Sequence, residues 1–406
     1  MKTEDLYKKK NDCCGCELCV QSCPKQIIQM KSDEVGFLYP YIEDDSTCIN
    51  CQKCITVCPV KSPGREKVEI KKSFSFSLPE AVDLRRSASG GLATAISRAF
   101  VQKGGVVYGA AYTEGFLSVR FLRADNNIAL EQFRGSKYVQ AIKGNIYELV
   151  RKDIKEGRDV LFIGLPCEIS ALYHVAANPE HLYTISLICH GPTSQKVHRD
   201  YCESIFNLSK SSLLYFSVRH KLKGWKPYYI HAEYSDGTEY NEQWNKSDYG
   251  VAFLYLKRPS CRTCRYKAED AQFGLQSDMT VGDFHGVDKN SSQYNPWGVS
   301  QGSVQTEKGY YLASLIDVEI EEKAIQYSHI KMTNRGLFVA IPQRGNIKRF
   351  VGDYLNHSLH YACHSSMVRR ANRMIIVRFQ LSRIMRVLKM PSKVIDKLKR
   401  KLVKSR

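Results

Sequence analysis

Eight cysteines near the start of the chain are spaced to hold inorganic clusters. Cys13, Cys16, Cys19 and Cys23 follow C-x2-C-x2-C-x3-C and run into Pro24; Cys48, Cys51, Cys54 and Cys58 repeat the spacing and run into Pro59. Three thiolates two residues apart can wrap one face of an iron–sulfur cubane, and the intervening residues let backbone N–H groups point at its sulfides. In two-cluster proteins the fourth cysteine, held rigid before a proline, reaches the other cluster. The spacing therefore predicts one 4Fe–4S cluster on Cys13, Cys16, Cys19 and Cys58, and a second on Cys48, Cys51, Cys54 and Cys23. Zinc is the competing reading. It needs only four ligands, commonly two C-x2-C pairs across a loop, and leaves two complete runs ending in Cys-Pro unexplained. Cys14 fits the spacing less well than Cys13 and is expected to be an unligated bystander.

A second constellation lies far along the chain. Cys167 sits in GLPCE after the apolar run DVLFIG, and Cys189 sits in ICHGP at the end of YTISLIC. The ends of neighbouring strands in an α/β sheet converge on one rim, where ligand sites form. Cys261 and Cys264 make a C-x2-C pair in RPSCRTCRYK. Together these four could form a third four-thiolate site. Taken singly, a strand-end cysteine reads as a small buried hydrophobe, and a lone C-x2-C as a zinc half-site or redox pair. Cys202 and Cys363 read as structural.

The elements that must position these residues follow from pattern and composition. With 406 residues, the chain suits two or three domains. Residues 1–70 carry nine of the fifteen cysteines and form the two-cluster, ferredoxin-type domain. Residues 71–85 read as a linker, 86–360 as an α/β body and 361–406 as a basic helical tail. The fold class is thus α+β / α/β: a dicluster ferredoxin-like domain, then a mixed-sheet α/β domain. Within the body, helices are expected over SGGLATAISRAFVQKG, NIYELVRKDIKEG, 168–177 and 194–206. They alternate with strands in GGVVYGAAYT, FLSVRFLRA, DVLFIG and YTISLIC. Residues 213–244 read as antiparallel β with a hairpin turn at Asp236-Gly237. The polar N-terminus lacks the apolar core of a signal peptide, and no run reaches the roughly 18–20 apolar residues of a membrane span. Clustered cysteines in such a chain indicate redox or metal chemistry in a reducing, cytoplasmic compartment.

The residues resemble the coenzyme F420 hydrogenase/dehydrogenase beta-subunit family, in versions with a fused N-terminal two-cluster ferredoxin. The resemblance rests on both cysteine motifs, EVGFLYP at 34–40, SASGGLATAIS at 87–97, RGSKYVQ at 134–140, LFIGLPCEISAL at 161–172, ICHGP at 188–192, RHKLKGW at 219–225, RPSCRTCRYK at 258–267 and SDMTVGDFHG at 277–286. It implies an iron–sulfur flavoprotein oxidoreductase. A bound FAD would pass electron pairs between the clusters and a hydride carrier, with coenzyme F420 one such substrate. It also implies a cluster on Cys167, Cys189, Cys261 and Cys264. The turn Ser87, Ser89, Gly90 and Gly91 at a helix start could cradle the FAD pyrophosphate; the bland alternative is an N-cap with glycines for close packing. Arg134, Ser136 and Lys137 offer donors to phosphate or to the isoalloxazine ring, or else form a solvated loop. Family members commonly have an aromatic where His285 stands. No GxGxxG fingerprint follows a strand, which argues against a Rossmann nicotinamide site.

The net charge is +19, and residues 367–406 hold fourteen Lys and Arg against Asp396 alone, which leaves +6 for the other 366 residues. Residues 369–389 put Met374, Val377, Leu381, Ile384 and Leu388 on one helical face bordered by arginines. Such a helix could make peripheral contact with an anionic membrane or dock on the body. No nucleic-acid motif accompanies the charge. The expected partner is a redox protein or a small hydride-carrying molecule. The competing function is a non-catalytic electron-transfer or scaffold subunit that binds the ferredoxin clusters but no flavin.

Overall fold

The structure, a computed structural model, describes residues 1–176, 179–206, 211–269, 272–342 and 345–373. The repeat in the cysteine motifs is also a repeat in backbone. Four-residue helices follow the two cysteine loops at equivalent places, Leu18–Gln21 and Lys53–Thr56. Ahead of them stand matched left-handed residues, Gly15 and Glu17 at φ 69° and 64°, then Asn50 and Gln52 at φ 50° and 56°. Turning alternate residues this way gathers backbone N–H groups into a concavity suited to an anionic cluster. Strands β1 (Ile28–Ser32) and β2 (Leu38–Ile42) pair antiparallel between the loops.

The body is built on one seven-stranded sheet. Its strands are β3 (Lys72–Phe76), β4 (Val106–Thr113), β5 (Ser118–Ala124), β6 (Val160–Gly164) and β7 (Leu182–Leu187). After a separate antiparallel sheet of β8 (Leu213–His220), β9 (Tyr229–Tyr234) and β10 (Glu239–Gln243), β11 (Met279–Asp283) and β12 (Ser300–Val304) complete it. The spatial order is β3-β12-β11-β7-β6-β4-β5. Neighbours β11, β7, β6 and β4 run parallel, and the outer pairings are antiparallel. The unbroken apolar run of β6 fits a strand covered on both faces. Val106, Tyr108, Val160 and Phe162 pack with helix Ile146–Lys155 on one face; Val107, Leu161 and Ile185 pack with helix Leu92–Gln102 on the other. The first of these cores also takes Cys16 and Leu18 from the cysteine-rich domain. The Asp236-Gly237 hairpin joins β9 to β10, with Gly237 at φ 83°.

Two expected boundaries move. The stretch 71–85 is not a linker, because β3 within it pairs with β12 at the sheet edge and helix Ala81–Arg86 follows. Its alternating Ser and Phe explain the strand: Phe74 is fully buried, and Ser73 shares a 2.8 Å hydroxyl contact with Ser303. The compact unit that contains the body ends at Gln343 rather than near 360, and a second begins at Arg344. That second unit holds helices Ile347–Asn356 and Leu359–Cys363, capped by Asn346 and Ser358, and residues 366–373 are helical. The apolar face predicted from Met374 onward lies outside the described residues. Among the described residues, no helix is long and apolar enough to cross a membrane.

Candidate redox site

The cysteines gather at three places. Cys23, Cys48, Cys51 and Cys54 line one small cavity. Cys13, Cys16, Cys19 and Cys58 line a second, with Cys14 and Cys54 beside them. The geometry thus brings Cys58 to the first loop's thiols and Cys23 to the second's. Cys167, Cys189, Cys261 and Cys264 line a third cavity of about 50 Å³.

Local structure explains the third gathering. Cys167 opens helix Pro166–Tyr173 directly after β6, and Cys189 lies two residues beyond β7. The pairings Gly164–Ser186 and Val281–Leu187 bring the carboxyl ends of β6, β7 and β11 level. Cys261 and Cys264 come from the short helix Pro259–Thr263 and the residue after it. Gly191, left-handed at φ 92°, donates its N–H to Cys189 Sγ at 3.2 Å. Four thiols from three segments, with a backbone N–H already aimed at one sulfur, fit a four-thiolate cluster.

Cys14 is no bystander in position. Its thiol is within hydrogen-bond reach of both Cys16 and Cys167, and it borders the first-loop and body cavities. Extended backbone at Cys13 (φ −133°, ψ 120°) sends consecutive side chains to opposite sides, so Cys14 faces the body.

A larger cavity of about 310 Å³ opens beside the third cysteine set and shares Leu165, Glu168, Cys189, His190, Gly191 and Pro192 with it. This volume falls at the lower end of cofactor sites. Six of the seven residues expected to hold the flavin line it: Ser87, Ser89, Gly91, Arg134, Ser136 and Lys137. Gly90 does not. A Cβ there would stand 2.0 Å from Phe76 O, so that glycine lets the turn pack on β3. The turn itself is pinned by Ser87 Oγ to Asp83 O (2.9 Å), Ser89 Oγ to Val299 O (2.8 Å) and the buried Lys221 amine to Leu84 O (2.7 Å). Gly91, at φ 82°, starts helix Leu92–Gln102 with no side-chain cap.

The charges around the cavity are unequal in their freedom. Arg134 Nη1 reaches Asp83 and Glu131, both at 2.9 Å, so this residue mainly ties its loop to helix Ala81–Arg86. Arg219 pairs with Asp283 at 2.9 Å. Burial alone would raise the Asp283 carboxyl, but the guanidinium overrides it and holds the pKa at about 2. Glu168 is matched by the buried Lys143 amine at 2.6 Å. Lys137 has no carboxylate among the described residues and donates only to Gln132 O (3.0 Å) and Arg134 O (2.9 Å). It keeps some surface where it borders the cavity, yet its amine is packed among protein atoms, and that burial pulls its pKa down to about 7. The Nε atoms of Arg134 and Arg219 are buried without an acceptor among the described residues. Such orphan donors beside an unneutralised lysine fit an anionic cofactor.

Sequence reasoning missed several wall residues. Arg219, Asp283, His190, Tyr138 and Phe253 all line the cavity, and the signal for the first two was their place in RHKLKGW and GDFHG. His285 lines it too and stacks on Trp225, centroids 6.3 Å apart and planes 13° apart.

Thiolate sets in a ferredoxin-like domain, joined to a mixed α/β body, define an iron–sulfur redox protein. Residues 12–62 and 40–85 match profiles of the 4Fe-4S dicluster domain, and residues 157–331 match the profile for the C terminus of the coenzyme F420 hydrogenase/dehydrogenase beta subunit. Residues 157–331 thus carry the C-terminal region of the coenzyme F420 hydrogenase/dehydrogenase beta subunit, behind a two-cluster 4Fe–4S domain at the N-terminal side. These matches support an iron–sulfur oxidoreductase. No curated protein matches it. Among solved structures it is similar to a chain of the F420-reducing [NiFe] hydrogenase complex from Methanosarcina barkeri, at 18% identity over 74% of this chain and 92% of that one, with a TM-score of 0.41.

Proposed function

We propose that the chain is an iron–sulfur flavoprotein that moves electrons between a redox partner protein and a hydride-carrying molecule, coenzyme F420 being one candidate. The observation that carries this reading is the wall shared by the 310 Å³ cavity and the body cysteines, with Cys189 facing both. A bound FAD would supply the exchange between one-electron and two-electron carriers. The start of helix Leu92–Gln102 and the Lys137 amine would hold its pyrophosphate, since free N–H groups and a cation favour an anion there. Tyr138 and Phe253, with ring centroids 4.9 Å apart, would provide apolar wall. Cys167, Cys189, Cys261 and Cys264 would ligate a third 4Fe–4S cluster, and Cys14 would bridge the short path from the first-loop thiols.

Anaerobic purification with cofactor identification tests this directly. The expected protein carries about twelve irons per chain, with FAD released on denaturation. About eight irons and no flavin would contradict it and favour a non-catalytic electron-transfer subunit.

A further inference from the structure

Arg258 is a guanidinium buried to 1% exposure with no carboxylate pairing among the described residues. Most of its side-chain contacts lead to the cysteine-rich domain. Nε donates to Cys13 O at 2.9 Å, Nη1 to Gln140 Oε1 at 2.7 Å, and Nη2 to Leu38 O at 3.0 Å and Cys13 Sγ at 3.4 Å. The guanidinium carbon lies 4.3 Å from the centre of the Tyr39 ring. Left-handed Gly15 packs so closely that a Cβ there would stand 2.6 Å from Arg258 Nη1. A buried charge needs an opposite charge; the thiol that the guanidinium touches is Cys13, and Arg258 also borders the body cysteine cavity, where Cys14 and Cys261 lie within its electrostatic reach.

Among the described residues, the other thiolate set has no buried cation against a sulfur; Lys25, which lines its cavity, is exposed. Cys51 is exposed; Cys48 Sγ faces Asn50 Oδ1 at 3.7 Å, and Cys54 Sγ faces Met1 Sδ at 3.2 Å. The Met1 ammonium nearby is matched by Asp45 at 3.8 Å. Hydrogen bonds to the sulfurs, local charge and solvent exposure set cluster potentials. Burial disfavours an added electron at the inner site, whereas a cation fixed against a ligating sulfur in a low-dielectric setting favours it.

We propose that Arg258 raises the potential of the cluster on Cys13, Cys16, Cys19 and Cys58 above that of the cluster on Cys23, Cys48, Cys51 and Cys54, so that an electron entering at the exposed set moves inward. The step transfers one electron: the outer site is oxidised by one, the inner reduced by one, and no bond or proton moves. The proposal rests on the ligand sets assigned above. Arg258 acts through Cys13 and is a positioning and tuning residue.

The test is an EPR-monitored redox titration of the full chain, wild type against Arg258→Met and Arg258→Lys, with iron counted in each. The expected result is a downward shift of the inner couple in Arg258→Met by at least tenfold in electron partition, about 59 mV for one electron. Arg258→Lys should shift less, and the outer couple should stay put. Equal shifts in both couples, or none, would overturn the proposal. Wild-type protein labelled with guanidino-15N arginine gives a reading independent of folding. Of the two ferredoxin clusters, only the first-reduced one is expected to show 15N coupling, and no coupling to either overturns it. A Cys58→Ser control that left the higher-potential signal intact would refute the ligand assignment, and with it the proposal.

Discussion

The two cysteine loops are near copies in backbone and opposites in surroundings. Both follow one spacing, carry left-handed residues at matched positions and lead into helices of four residues. One is sealed against the body, with Cys16 buried in its core and Arg258 on Cys13; the other presents Cys51 to solvent. Spacing dictates what a loop can ligate, and packing decides what the ligated group is for. The inner loop faces the body, and the outer one faces solvent.

The largest effect should come from breaking the shared fourth-ligand arrangement. Cys58→Ser is expected to remove about four irons from the inner site and Cys23→Ser about four from the outer, read by iron assay and EPR. If each substitution instead silenced the cluster of its own loop, the crossing of ligands would be wrong.

A second prediction separates the body cavity from both loops. Lys137→Met should weaken FAD binding by roughly tenfold or more, a loss typical of one charge-assisted contact, measured by fluorescence titration of flavin-stripped protein. The pH dependence has a definite sign. The free-protein amine has a pKa of about 7, and a bound phosphate would raise it, so wild-type affinity is flat below that pH and falls above it. The variant should lose this dependence. The same lysine makes the flavin-free fold less stable near neutrality than at higher pH, because the unfolded chain binds more protons between about 7 and the ordinary lysine value of 10.5.

Smaller effects concern stability alone. Asp283→Asn leaves Arg219 buried without its counter-charge and should cost about 3–5 kcal/mol in denaturant unfolding. Gly90→Ala pushes a methyl into Phe76 O and should cost about 1–3 kcal/mol, without altering iron content.

How much of this was readable in the sequence depended on how local the cause was. The crossed grouping of Cys23 and Cys58 follows from spacing within one motif, and the placement of Cys167 and Cys189 follows from apolar runs that end just before them. Arg258 was invisible as a partner of Cys13 because 245 residues separate them. The position of Cys14 was equally hidden, because the motif says which thiol fits one cavity, not that a second cavity lies on the other side. The strand β3 carried a signal in its Ser-Phe alternation, masked by position between two domains. Gly90 and Gly91 looked alike in SGG, yet one serves contact with β3 and the other the start of a helix; only the neighbouring backbone distinguishes them.

The most direct test of inward connection is stopped-flow reduction of FAD-loaded Cys261→Ser/Cys264→Ser protein under anaerobic conditions. With a reductant that reaches only the outer loop, both ferredoxin EPR signals should still appear, while flavin bleaching slows by orders of magnitude relative to wild type. Bleaching at the wild-type rate, with iron content unchanged, would show that the body cysteines do not link the loops to the cavity.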